Sequence, residues 1–291
     1  MRPPRSPDAS PAGLASAKPP RFDAYIFDLD GTLYVDQRPI NGAPEAVAQL
    51  RADGAQVAFV TNNPLHRAST YAQRLSRIGI PASPGEITTS VEALLDYLDA
   101  RYPGARVLAI SEDVVQESLA DAGHQVTMNP SEAQVVVVAF DRTFDYVKLH
   151  AAYLAVREHG ATIIATNPDP YCPTAGGGLP DCAAMLAALE ACTGMRAEAI
   201  VGKPSPHMVR TVLRRVHVDP ARTAVVGDRL MTDVEMGQTA GATGILVLSG
   251  ATRREDLAAG PVTADYVIDS VADLVTDRRA VQSEPGGPQH R

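Results

Sequence analysis

The run Tyr25-Ile26-Phe27-Asp28-Leu29-Asp30-Gly31-Thr32-Leu33 decides the reading of this chain. It opens with three apolar or aromatic residues, the pattern of a short buried strand, and Gly31-Thr32 breaks that strand at once. Residues i and i+2 at a strand end project to the same side, so Asp28 and Asp30 converge on one spot at the carboxyl edge of a sheet. Two adjacent carboxylates repel each other unless a cation or a shared proton lies between them. A Mg²⁺-assisted site, with one carboxylate attacking and the other moving protons, accounts for the pair. A turn-forming Asp-Gly with a second Asp by chance accounts for the same letters. The rest of the chain has to separate the two.

With 291 residues, 45% of them hydrophobic and 21% charged, the chain has material for one large or two modest globular units. A formal net charge of −8 argues against nucleic acid or an anionic membrane as partner, while leaving room for a local positive pocket for a small phosphate. No apolar run approaches the roughly 18 residues of a membrane span. Residues 1–20 are rich in Pro, Ala and Ser and lack the apolar core of a secretory signal; they and residues 280–291 are expected to be disordered tails. Cys172, Cys182 and Cys192 have no C-x-x-C pairing. Thiols in a reducing cytoplasm are expected, rather than a disulfide framework or a zinc site.

Outward from the first strand, residues 56–60 read as a second strand ending in Thr61-Asn62-Asn63-Pro64. Asn63 is a good helix cap and Pro64 a good first helical residue, so the pattern predicts a helix to about Ile78. Its free N–H groups would face the Asp28 edge, with the Thr61 hydroxyl and N–H at the mouth of an anion site. Further strands are predicted at 106–110, 134–140, 161–165, 199–201, 223–226, 244–248 and 266–268, with helices between them. Residues 167–180, with four prolines and the run Gly176 to Gly178, read as a loop. Ser205 caps and Pro206 opens a helix to Val216, and 227–233 opens another.

This alternation means an α/β protein with a mainly parallel sheet, in which ligand groups gather at strand carboxyl ends. Four strands end in groups suited to phosphate chemistry: Asp28 with Asp30, Thr61, Lys203, and Asp228 with Asp233. Taken singly, Lys203 reads as a solvated lysine and Asp233 as a first-turn helix acid. Four such endings together are much harder to obtain by chance.

With those stretches in hand, the sequence resembles the haloacid dehalogenase superfamily. Asp28-Leu29-Asp30-Gly31-Thr32-Leu33 matches the first motif, Thr61 the second, Lys203 within Gly202-Lys203-Pro204 the third, and Gly227-Asp228 with Asp233 the fourth. The short gap between the first two motifs leaves no room for a cap domain, whereas about 140 residues separate Thr61 from Lys203. That surplus resembles the type IIA cap of the NagD-like and p-nitrophenylphosphatase-like branch, as do Ala165-Thr166-Asn167-Pro168-Asp169-Pro170 and Val201-Gly202-Lys203-Pro204-Ser205-Pro206. The resemblance implies a Rossmann-like, doubly wound core at 21–82 and 183–279, with an α/β cap governing specificity at 83–182.

It also implies roles. Asp28 would attack phosphorus and form an aspartyl-phosphate, and Asp30 would protonate the leaving oxygen and then deprotonate water. Mg²⁺ would be held by Asp28, Asp228 and the Asp30 carbonyl, with Asp233 behind them. Lys203, Thr61, Asn62 and the helix N-terminus after them would bind the phosphoryl oxygens. Asp30 separates reaction classes, because the family's dehalogenases lack this second acid and its transport ATPases carry Thr. A mutase resembles the other cap type.

The loop after Asn167-Pro168-Asp169 would reach over the site, making Tyr171, Cys172 and Pro173 the candidates for leaving-group contact, with Gly176 to Gly178 permitting closure. Relatives resembling vitamin B6 phosphatases carry His where Cys172 stands, which argues against pyridoxal phosphate. The expected activity is hydrolysis of a small phosphate ester, of sugar, polyol or cyclitol type, by a cytoplasmic enzyme able to dimerise through its cap. A nucleotide or aryl phosphatase and a non-catalytic phosphate-binding protein are the alternatives.

Overall fold

The computed structural model describes residues 18–36, 38–174, 177–258 and 260–275. Apart from 18–20, both expected tails lie outside these residues, as does Gly176. Strand β1 (Ala24–Asp28) leads through a ribbon, β2 (Tyr34–Val35) and β3 (Arg38–Pro39), into helix α1 (Ala43–Ala52). Strand β4 (Gln56–Thr61), helix α2 (Ala68–Arg77), strand β5 (Ile87–Thr89) and helix α3 (Ser90–Arg101) follow. Next come β6 (Arg106–Ile110), α4 (Asp113–Asp121), β7 (Gln125–Val126), β8 (Val135–Val138), α5 (Tyr146–Arg157) and β9 (Thr162–Ala165). A hairpin of β10 (Tyr171–Thr174) and β11 (Gly177–Pro180) precedes α6 (Cys182–Thr193) and β12 (Ala199–Ile200). The chain closes with α7 (Pro206–Val216), β13 (Thr223–Gly227), α8 (Glu235–Thr239), β14 (Thr243–Val247) and β15 (Tyr266–Ile268).

Two parallel sheets result. The first runs β15-β14-β13-β1-β4-β5, the order of a doubly wound nucleotide-binding sheet, and reverses direction between β1 and β13. The second runs β12-β9-β8-β6-β7 and reverses between β6 and β8. Asp28 is level with Val60 in the neighbouring strand, and Phe27 with Val226, so the ends of β1, β4 and β13 share one edge.

Side-chain alternation explains the layering. On β1, Tyr25 and Phe27 face a cluster with Phe59, Leu75 and Ile245, whereas Ile26 faces the other side. On β8, Val135 and Val137 join Ile26, Val60 and Val225 in one cluster, while Val136 and Val138 pack with Ile163, Leu186 and Leu189. The valine run is therefore buried on both faces, as a central parallel strand requires. Each fully buried valine contributes about 1.5–3 kcal/mol relative to exposure. One apolar cluster thus spans both sheets.

Several expectations change. The sequence leads one to expect a cap at 83–182; in the structure β5 pairs with β4 in the first sheet, whereas α6 packs on the second and β12 pairs within it. By strand pairing, β5 thus belongs to the first sheet and β12 to the second. Hydrophobic patterning marks elements but carries no record of which strand they pair with. For the same reason the strand before Lys203, expected within the core segment 183–279, pairs instead with β9 in the second sheet.

The helix expected from Pro64 begins at Ala68: the Asn63 side chain accepts the Leu65 N–H at 3.0 Å, an Asx turn in place of a cap. The expected loop 167–180 contains the antiparallel β10–β11 hairpin. Among the described residues no helix is long and apolar enough to cross a membrane.

Candidate active site

The reversal point between β1 and β13 brings Asp28 and Asp228 side by side. Asp233 arrives from a single π-helical turn, Leu230–Val234, that links β13 to α8. One carboxylate oxygen from each of Asp28, Asp228 and Asp233 lies within 4.8 Å of the others, and all three residues are buried. The backbone is moulded around them. A Cβ on Gly250 would fall 2.1 Å from Asp228 Oδ2, and one on Gly227 would fall 2.2 Å from Asp233 Cβ. Asp228 Oδ2 accepts the Ala251 N–H at 2.6 Å, and Asp233 Oδ2 accepts that of Arg229 at 3.1 Å. Thr32, fully buried, donates a long bond of 3.5 Å to Asp28 Oδ2.

Lys203 crosses from the second sheet into this cluster. Its ammonium donates to Asp28 Oδ1 and, at 2.7 Å, to Asp233 Oδ1. Burial pulls the Lys203 ammonium down, but Asp233 and Asp28 outweigh it and hold the ammonium above its ordinary value. Burial also pushes Asp28 well up against the pull of Lys203, with Asp233 and Asp228 adding repulsion; Asp228 is raised by burial and by Asp233. Three carboxylates facing one ammonium leave an excess of negative charge in a dry site. Hard oxygen donors with that excess fit a hard divalent cation.

Thr61 ends β4 beside Asp28, and its hydroxyl accepts the Asn63 N–H at 3.2 Å. Asn62, expected to bind phosphate, spends its side chain elsewhere: Oδ1 accepts the Lys203 N–H at 2.8 Å, while Nδ2 donates to the Lys203 carbonyl at 3.1 Å and to Asp169 Oδ2 at 2.8 Å. The expected helix N-terminus is likewise displaced, because α2 starts seven residues after Thr61.

Asp30 keeps part of its surface exposed, yet enough of its carboxyl is buried to raise it, against the attraction of Arg74 and Lys203. Its neighbour Tyr34 is fully buried, bridges Asp30 through the backbone, and has its phenol pushed up by burial and by the charge of Asp30.

Of the hairpin candidates, Cys172 lies close enough to Asp181, Asp30, Asp169 and Arg229 to feel their charges; burial, then Asp181, raises its thiol. Tyr171 is 58% exposed, with its ring against Gly178. The Pro173 side chain lies outside the described residues. None of the three cysteines forms a disulfide.

The structure thus joins Asp28, Lys203, Asp228 and Asp233 directly, with Asp30 and Thr61 at the rim. Gly250, the Ala251 N–H and Asp169 were not found by sequence reasoning. The first two have no local signature, whereas Asp169 stood in a quoted stretch without an assigned role.

Comparison with known proteins bears on this arrangement. A family model described as haloacid dehalogenase-like hydrolase matches residues 25–125, and a second, HAD-hydrolase-like model matches residues 200–274. An acid sugar phosphatase of Staphylococcus aureus is 32% identical over 257 residues, covering 88% of this chain and 98% of its own. A 4-nitrophenylphosphatase from Thermotoga maritima superposes with a TM-score of 0.82 at 33% identity, covering 87% of this chain and 96% of that one. A glycerol phosphate phosphatase from Mycobacterium tuberculosis, in complex with magnesium, gives 0.81 at 32% identity, covering 89% and 78%.

Proposed function

This chain belongs to the haloacid dehalogenase-like hydrolases, and from that premise we propose that it is a Mg²⁺-dependent phosphatase of small phosphate monoesters, working through an aspartyl-phosphate in the cytoplasm. The single observation that carries this reading is the convergence of Asp28, Asp228 and Asp233 around the Lys203 ammonium.

In the first half-reaction an Asp28 carboxylate oxygen bonds to phosphorus as the ester P–O bond breaks, and Asp30 gives its proton to the departing oxygen. In the second, Asp30 takes a proton from water as the water oxygen bonds to phosphorus and the Asp28–phosphorus bond breaks. The burial that raises Asp30 keeps its proton available for the first half. Lys203 balances the negative charge so that a phosphate dianion can approach, and the Thr61 hydroxyl and Asn62 main-chain N–H bind phosphoryl oxygens. The carboxylates of Asp28 and Asp228 with the Asp30 carbonyl would hold the cation, with Asp233 fixing Lys203 behind them. When bound, Mg²⁺ supplies the positive charge that keeps Asp28 ionised and draws the substrate phosphate in.

The second sheet and the helices between its strands, from β6 to β12, form the proposed specificity cap, with Tyr171 and Cys172 meeting the leaving group. The sugar and glycerol phosphatases among the relatives support a sugar or polyol phosphate. The Tyr171 ring lying open on Gly178 favours a second reading, an aryl phosphate stacked on it. Exposed Tyr146 and Val147 on α5 support dimerisation through the cap, to be checked by light scattering.

The test is phosphate release from a panel of phosphate esters, with Mg²⁺ or EDTA, for wild type and Asp28→Asn. Mg²⁺-dependent turnover abolished by the substitution is expected, and the ranking of kcat/KM separates polyol from aryl esters. Absence of turnover on every ester, p-nitrophenyl phosphate included, would overturn the reading.

A further inference from the structure

We propose that Asn62 is a positioning residue for Lys203, setting the lysine's main chain and tying it through Asp169 to the root of the β10–β11 hairpin. The inference rests on Lys203 acting in phosphoryl transfer as proposed above.

The geometry is that of a two-sided clamp. One amide side chain meets both main-chain groups of Lys203, accepting its N–H at 2.8 Å and donating to its carbonyl at 3.1 Å. The remaining Nδ2 proton goes to Asp169 Oδ2 at 2.8 Å. The amide cannot be turned over, because Oδ1 would then face two acceptors. Only 9% of the Asn62 surface is exposed, so its three hydrogen bonds are made with little competition from water.

The surroundings leave the clamped segment little freedom. A Cβ on Gly202 would lie 2.4 Å from the Thr166 carbonyl oxygen and 2.6 Å from Asn62 Oδ1, so the backbone preceding Lys203 is packed against both. The Asn62 carbonyl accepts the Ser90 hydroxyl at 2.6 Å at the start of α3, which is the other connection between the sheets. Asn62 therefore touches both crossings of the chain.

Asp169 in turn anchors the hairpin. Its N–H donates to Asn167 Oδ1 at 3.0 Å, its carbonyl accepts the Ala183 N–H at 3.1 Å, and the next carbonyl, that of Pro170, accepts the Asp181 N–H at 3.1 Å. The path from the hairpin root to the lysine is two side chains long. A displacement of about 1 Å in a catalytic group can lower a rate by about a hundredfold, so the clamp holds the geometry on which the Lys203 contribution depends.

The experiment is a double-mutant cycle on p-nitrophenyl phosphate, using Asn62→Ala, Asp169→Ala and the pair, with Asn62→Asp and Asp169→Asn as discriminating variants. Rates are referred to the folded fraction measured by near-ultraviolet circular dichroism. Asn62→Ala is expected to lower kcat by about ten- to a hundredfold while KM changes by less than about threefold. The double variant should be no worse than Asn62→Ala alone, because Asp169 acts through Asn62. Asn62→Asp, of equal size, should fail as badly as alanine, since its carboxylate would face the Lys203 carbonyl and Asp169. Asp169→Asn keeps an acceptor for Nδ2 and should restore the rate lost in Asp169→Ala.

Additive losses, or a fall in Tm with unchanged kcat in the folded fraction, would reduce Asn62 to a structural tie and overturn the inference while leaving the phosphatase reading intact. If Lys203→Met retained wild-type turnover, the reading itself would fall and the inference with it.

Discussion

Asp233 accepts a hydrogen bond from the Lys203 ammonium at 2.7 Å, although Lys203 reaches it from the turn after β12 of the second sheet and Asp233 from the π turn after β13 of the first. This bond and its companion to Asp28 are the ionic contacts that lock the two sheets together at the site. A buried ammonium among carboxylates is a high-stakes arrangement, because removing one member leaves the others uncompensated.

Lys203→Met should therefore do more than slow turnover. With Asp28, Asp228 and Asp233 left facing each other, the metal-free protein is expected to lose about 3–5 kcal/mol of stability. Saturating Mg²⁺ should return part of that loss, since a ligand that binds only the folded state stabilises it. Urea melts with and without Mg²⁺ measure both terms. Unchanged stability without metal would contradict the charge balance described for the site.

Gly250→Ala tests the moulding of the backbone around Asp228. The added methyl would sit 2.1 Å from Asp228 Oδ2, so the carboxylate or the chain has to move. We expect the Mg²⁺ concentration for half-maximal activity to rise about ten- to a hundredfold, the range for a lost supporting contact at a metal ligand. Titration calorimetry gives the same quantity without turnover. An unaltered Mg²⁺ affinity would show that Asp228 is not a ligand.

Asp181 supplies a pH dependence away from the carboxylate cluster. It caps α6 by accepting the Cys182 N–H at 2.5 Å, and burial pushes its carboxyl up to about 6, against that bond and with help from Asp169. A carboxyl raised in the folded state gives up its proton later than in the unfolded chain. The folded protein therefore loses stability as pH climbs from about 4 through about 6. Asp181→Asn keeps a capping side chain and removes this effect. Relative to wild type it should gain about 1–2 kcal/mol between pH 4 and pH 7, read from urea melts at the two values. A constant difference would rule the assignment out.

Leu98→Ala probes the cluster shared by the two sheets. Leu98 is fully buried on α3, alongside Val60 of the first sheet and Val107 of the second. The substitution is expected to lose about 2–5 kcal/mol. Because the cluster is common to both sheets, far- and near-ultraviolet circular dichroism should still report one transition, at a lower midpoint. Two separated transitions would mean that the sheets unfold independently.

Much of this architecture is legible in the letters. Tyr25 to Phe27 announces a buried strand, the valines at 135–138 a central one, and Asp28 with Asp30 a site at a strand end. Ser205 and Pro206 start α7 where expected, with the Ser205 hydroxyl accepting the His207 N–H. These are local signals: side-chain period, cap chemistry and turn residues act within a few positions, so they survive without knowledge of partners.

What tertiary structure alone decided is pairing. Whether residues 199–200 extend the first sheet or the second depends on β9, whose edge is built some 35 residues earlier. Asn63 and Pro64 satisfy every local rule for a helix start, yet the Asx turn takes them instead. Asn62 reads as a phosphate ligand until Lys203 and Asp169, remote in sequence, claim its amide. Sequence by itself determined which residues carry charge to strand ends, because that follows from periodicity and residue chemistry. Which charges meet, and which side chain serves another rather than the substrate, was decided only when both sheets brought their carboxyl ends together, because long-range contact is a property of the packed chain.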